Sequence, residues 1–358
     1  SMKIIANESV YFFLPWAALQ CFETRANVER YLKIAVLVAI PVALYGIFQF
    51  FFGLHDFEVA YIRTGFAPLM AFTLEDVRTR PFSTLNSTHA YSVMMSFMLT
   101  CAFYFTFRQR RFSWKWGIAF LTLLVALLTC TARGAILGGI GTIGLSVMFA
   151  SRTGTRFAYV SSIVVFVALL ANAESLLDGL EYWQKFLPSE KAWEEQAFRL
   201  GTISNRLIGY KNVLTNPSVW PIVANPLKYE VESDAAEALH AHDAYSAMIL
   251  KYGILPVGSG FCLAVWFAVK VHASILRLSK GSRRNLGATV FSILFGFMLA
   301  QTGGIGMQVF PLNYWICLFC GFVVILCFRK DLAESSEKVH PVVSTPEPRS
   351  RSSLSLSR

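Results

Sequence analysis

The feature that most restricts this chain is a succession of apolar runs near 20 residues long, with nearly all of the charge gathered into the stretches between them. About 20 helical apolar residues match the hydrocarbon thickness of a bilayer. Inside hydrocarbon every backbone polar group must be satisfied within the protein, which leaves helices and closed barrels. The runs lack the two-residue alternation of a barrel strand. The expected fold class is therefore an all-α polytopic membrane protein. Composition agrees, at 55% hydrophobic and 15% charged, where a soluble domain is roughly half apolar and a quarter charged.

About nine transmembrane helices are expected at this run length. They fall near Ile4–Phe22, Tyr31–Phe52, Ala90–Phe107, Trp116–Thr131, Ala135–Ala150, Phe157–Leu177, Ala244–Val269, Leu286–Met307 and Tyr314–Phe328. Asn7, Glu8 and Ser9 weaken the first. Basic residues cluster in alternate connections: Arg108, Arg110, Arg111 and Lys115, then Arg152 and Arg156, then Lys270, Arg277, Lys280, Arg283 and Arg284, then Arg329 and Lys330. The positive-inside rule sends these clusters to the cytoplasm. It accounts for the net charge of +10 without nucleic acid as a partner. It also sends Gly53–His89, Cys130–Gly134, Glu174–Asp243 and Gln308–Asn313 outside. With the first span intact the N-terminus lies outside too, so that segment is a half-span or upstream helices are missing from the chain. Ser1 reads as a residue added before a native Met2, and no cleavable signal peptide pattern follows.

Four regions result. Residues 1–173 are N-terminal transmembrane helices with short loops. Residues 174–243 form one large outer loop, with short helices expected at Leu176–Phe186, Lys191–Leu200 and Ile203–Leu214. Residues 244–330 are C-terminal transmembrane helices. Residues 331–358 are a Ser-, Pro- and Arg-rich cytoplasmic tail of disordered composition.

The seven cysteines lie in or beside apolar runs and read as small apolar residues, including the Cys317-Leu318-Phe319-Cys320 pair. The residues suited to chemistry are on the outer side. Arg80 precedes Pro81-Phe82-Ser83-Thr84-Leu85-Asn86. Arg133 is wedged in the tight Thr131-Ala132-Arg133-Gly134-Ala135 turn. Arg206 lies in the large loop, and His242 and Asp243 stand where that loop meets the next span, followed by Tyr245. A charge at membrane depth is costly and is usually paired or functional. Arginine keeps its charge, and its planar fork matches phosphate oxygens. The bland reading of any one arginine is interfacial snorkelling or a structural ion pair. For His242 it is a polar residue at a helix start, with Asp243 as the cap. His240 and His242 are two apart and do not share a helix face, so spacing does not favour a metal site.

Taken together, these segments resemble the bacterial O-antigen ligase and polymerase superfamily of membrane glycosyltransferases. The match rests on Arg80 to Ser87, on Thr131-Ala132-Arg133-Gly134, on Arg206 to Pro217, and on His242-Asp243-Ala244-Tyr245 followed by Leu250-Lys251-Tyr252-Gly253. Asp243 stands where the family usually has Asn. Trp220-Pro221-Ile222-Val223 replaces a Gly-x-Gly, and the usual early spans are not all present. The resemblance implies a GT-C-like fold with a large periplasmic loop in the bacterial inner membrane. It implies transfer of a glycan from an undecaprenyl-pyrophosphate carrier to a glycan or lipid A core acceptor, with no metal or other cofactor. Other polysaccharide-assembly membrane proteins are expected partners. On this reading Arg133 and Arg206 hold the diphosphate, Arg80 assists, His242 is the base, and Asp243 and Tyr245 contact substrate. Arg80 to Leu85 leans toward polymerase over ligase. The competing class is a transporter or flippase of an anionic lipid-linked glycan, for which Gly303-Gly304-Ile305-Gly306 reads as a broken helix.

Overall fold

A computed structural model describes residues 13–64, 81–85, 87–107, 112–130, 133–151, 153–154, 157, 222–223, 248–249, 252–278, 281–300 and 312–328. Every element among them is helical. The principal helices are α1 (Arg25–Phe52), α2 (Asp56–Arg63), α3 (Thr88–Phe107), α4 (Trp114–Thr129), α5 (Arg133–Phe149), α6 (Ile254–Arg277), α7 (Ser282–Ala300) and α8 (Leu312–Phe328). Three of them, α1, α3 and α6, are long and apolar enough to cross a membrane; α4, α8 and the 138–149 part of α5 are shorter and apolar. The spans expected at Ile4–Phe22 and Phe157–Leu177 are described only in part, and the tail lies outside the described residues.

α3 is the axis of the bundle. It packs against α1, α4, α5, α7 and α8, and most of its length is buried. Its polar side chains survive burial by bonding back onto the helix. Ser96 Oγ donates to Ser92 O at 3.1 Å, Thr100 Oγ1 to Ser96 O at 2.9 Å and Thr106 Oγ1 to Ala102 O at 2.8 Å. A hydroxyl satisfied in this way needs no water, which suits a membrane interior.

The outward faces are apolar instead. Leu37, Val38 and Phe51 of α1, Leu121 and Leu128 of α4, and Phe261 and Trp266 of α6 are all exposed. Such a belt is costly in water and neutral in lipid.

Helix starts and stops follow local chemistry. α1 begins at Arg25, six residues ahead of the apolar run, because Thr24 caps it by accepting from Asn27 N. Glu29 then pairs with Arg25 at 3.7 Å and Lys33 at 3.3 Å, one turn to either side. It ends at Gly53, whose φ of 85° is open to glycine. α6 starts later than its run suggests. Gly253, at φ 97°, interrupts the helix, and the carbonyl of Ile222 accepts from Leu255 N at 3.1 Å.

Small residues allow the closest contacts, as expected where packing rather than hydrophobicity holds helices together. A Cβ on Gly46 of α1 would strike the ring of Tyr91, and one on Gly296 of α7 would strike Thr142. Tyr91 is fully buried, and its hydroxyl donates to Ala43 O at 3.2 Å. Gly46→Val is therefore expected to destabilise the fold by about 1–3 kcal/mol through overpacking, read as a lower thermal midpoint in detergent. An unchanged midpoint would mean that α1 and α3 do not meet at Gly46.

The bundle has two distinct ends. At one, Arg25 Nη2 donates to Ser282 Oγ at 2.5 Å, Tyr104 shares that hydroxyl at 2.8 Å, and Arg283 Nε reaches Leu326 O. Phe105 packs on Trp116 and Phe149 on His272. Arg25, Lys33, Lys115, Arg277, Arg283 and Arg284 gather here, and this is the basic end. The other end lies about 20 Å along α3 at 1.5 Å per residue, around Tyr91. There Tyr45, Phe48, His55 and Phe57 stack face to face. Aromatic clusters of this kind suit a membrane–water boundary.

Candidate functional site

At the end away from the basic cluster, two short polar sequences are fixed against the bundle. The first is the turn Pro81–Leu85, immediately after Arg80. α2 follows α1 after a tight turn and carries Glu58 inward, where it is only 4% exposed. Its carboxylate is fully engaged. Oε1 accepts from Tyr45 Oη at 2.8 Å and Gln49 Nε2 at 2.5 Å, and Oε2 accepts from His55 N at 2.8 Å. The last of these also ties down the start of α2.

Gln49 passes this anchoring on. It is 0% exposed, and its Oε1 accepts from Phe82 N at 3.1 Å and Ser83 N at 2.7 Å. Ser83 Oγ donates to Val42 O at 2.7 Å, and the turn closes with Leu85 N on Phe82 O. Phe82 packs with Ile62 and Leu54 below. Ser83 has φ 53°. A non-glycine residue in the left-handed region costs of order 1 kcal/mol or more and persists where its surroundings overdetermine it. Here four hydrogen bonds do so.

The second fixed sequence is the start of α5. Arg133 is its first residue. Ser96 Oγ of α3 donates to Ala135 O at 2.8 Å, and Gly139 lies against Ser96 and Leu127. Cys130, which ends α4, is fully buried. Nearby in α3, the Tyr91 hydroxyl donates to Ala43 O of α1. α3 itself is capped by Ser87, whose Oγ accepts from Ala90 N at 3.1 Å. The turn after Arg80, held by α1, and the helix that opens with Arg133, held by Ser96 of α3, thus lie at the end of the bundle where α3 begins.

Of the expected site residues, Arg133 is therefore positioned as a helix-opening residue. Arg80, Arg206, His242, Asp243 and Tyr245 lie outside the described residues, as do Gly303-Gly304-Ile305-Gly306, the three expected loop helices and all of 174–243 except 222–223. The residue pattern did not single out Tyr45, Gln49 and Glu58. One signal was present: Gln49 is a lone amide within an apolar run, and intramembrane polar residues usually have an assigned partner.

No protein-family model, no curated protein and no solved structure matches this chain.

Proposed function

We propose that this chain is a metal-independent, inverting glycosyltransferase of the bacterial inner membrane. It moves a glycan from an undecaprenyl-pyrophosphate carrier to an acceptor glycan, as a polysaccharide polymerase, or to the lipid A core, as a ligase. The observation that carries the reading is that the turn after Arg80 is bonded to α1 just ahead of α3, and the helix opened by Arg133 is bonded to Ser96 about two turns into α3, both away from the basic end. The positive-inside rule makes that end periplasmic. α6 supports the same sidedness. It runs to Arg277 at the basic end, so the chain enters it from the opposite end, shortly after His242 and Asp243.

The chemistry follows from the donor. An acceptor hydroxyl oxygen attacks the anomeric carbon from the face opposite the carrier. The bond from that carbon to the diphosphate oxygen breaks, and its electron pair leaves with undecaprenyl pyrophosphate. The hydroxyl proton passes to His242, whose class of side chain titrates near pH 6.5 when unperturbed. Arg133 and Arg206 hold the departing diphosphate by charge-assisted hydrogen bonds. Arg80 extends that clamp, Asp243 orients the imidazole and Tyr245 contacts substrate.

The test is reconstitution. Purified chain in vesicles, given a lipid-linked oligosaccharide and excess chelator, is expected to lengthen the glycan with inversion at the new linkage. Movement of the lipid-linked glycan across the vesicle without any new glycosidic bond would overturn the reading in favour of a flippase.

A further inference from the structure

We propose that the basic end carries a binding site for a phosphate group at the start of α7, with Arg284 as its principal ligand. The site is independent of the glycosyl-transfer reading and sits at the opposite end of the bundle.

Three observations converge on it. First, Arg284 is 6% exposed, and its Nε is buried without a hydrogen-bond partner. A buried guanidinium is costly unless something anionic meets it. Second, the buried acid described at this end is already engaged, since Glu29 pairs with Arg25 and Lys33, while Glu23 stands exposed ahead of α1. Arg283 reaches Leu326 O, and His272 of α6, which stands near Arg284, adds no negative charge. Third, Arg283 and Arg284 both occupy the first turn of α7, and that turn contains no acidic residue. A helix N-terminus carries roughly half a positive charge. Two arginines there oppose the dipole, and an anion seated at the same place relieves both.

Phosphate is the chemistry that matches. A guanidinium fork pairs with its oxygens in parallel hydrogen bonds, and basic pockets between helices at the cytoplasmic leaflet take anionic headgroups. The outward apolar face of α6, with Trp266 and Val269 exposed, offers acyl chains a surface on the neighbouring helix.

The experiment uses the full chain in detergent micelles. Thermal unfolding and native mass spectrometry are followed on adding phosphatidylglycerol, phosphatidylcholine or inorganic phosphate at matched ionic strength. Phosphatidylglycerol is expected to raise the midpoint and to remain bound, with phosphatidylcholine doing neither. R284Q is expected to weaken phosphatidylglycerol retention by roughly tenfold or more, the scale of one lost charged hydrogen-bonding partner. A rise with phosphatidylglycerol alone identifies a lipid headgroup as the source; an equal rise with inorganic phosphate identifies a free anion. Either supports the site. If R284Q does not fold, R284K keeps the charge and loses the fork, and is expected to bind more weakly than wild type. Wild-type protein indifferent to both anions, or retention undiminished in whichever of these variants folds, would overturn the proposal.

Discussion

His242→Ala is expected to lower glycosyl transfer by about 10²–10⁴-fold, the usual contribution of a positioned general base, with protein level and membrane insertion unchanged. Arg206→Ala is expected to cost about 10²–10³-fold, the scale seen when one preorganised donor to a developing negative charge is removed. The two losses differ in kind. Without the imidazole, the acidic limb of the rate profile disappears, because no group there needs to shed its proton first. Without the guanidinium the limb stays and the donor also binds more weakly. Initial rates across pH 5–9, measured in vesicles with a lipid-linked donor, separate these outcomes. Full activity in either alanine variant would end the assignment of that residue.

The second large effect is expected at Gln49, which touches no substrate in the proposed reaction. Gln49→Leu keeps the volume and removes both polar atoms. Glu58 then loses one of its three donors, and the amides of Phe82 and Ser83 lose their shared acceptor. Each buried group left unsatisfied costs about 1–3 kcal/mol, more where it is charged. Destabilisation of several kcal/mol and release of the Pro81–Leu85 turn are expected. Gln49→Glu is the informative companion. It places a carboxylate against Glu58 yet keeps an acceptor for the two amides. If the amide's role is to orient the turn behind Arg80, Gln49→Leu raises the apparent KM for the lipid-linked donor even in protein that folds, as expected for lost positioning. A variant that melts early yet shows wild-type KM would make Gln49 a purely structural residue.

What could be read from residue order was decided by periodicity and charge. The runs at Thr88–Phe107 and Leu312–Phe328 begin and end within two residues of expectation, because hydropathy alone sets those boundaries. α1 extends beyond its run because paired charges at Arg25, Glu29 and Lys33 sustain helix where no apolar residue is needed. α6 begins late because hydropathy is blind to Gly253, whose backbone conformation stops the helix inside an apolar stretch. At the candidate site, residue order puts Arg133 inside a tight turn with the span opening at Ala135, and the helix instead opens two residues earlier, on Arg133 itself. The Gln49 anchoring was not legible, since it joins groups 33 and 34 residues apart, and no local pattern encodes such a pairing. The Arg284 environment was equally hidden. Basic clusters are expected in any cytoplasmic connection, and only burial distinguishes this one.

α1 spans 28 residues, about 42 Å of helix, whereas the hydrocarbon layer is about 30 Å thick. One end is tied to Ser282 through Arg25 and the other to the Pro81–Leu85 turn through Gln49. The apolar run of α1, Tyr31–Phe52, is about 33 Å and nearly matches the hydrocarbon layer, so the charged turns from Arg25 protrude from it. With both tips tethered, any lean of α1 engages the turn beside Arg80 and the start of α7 together. The two faces of the protein are thereby joined by one rigid element.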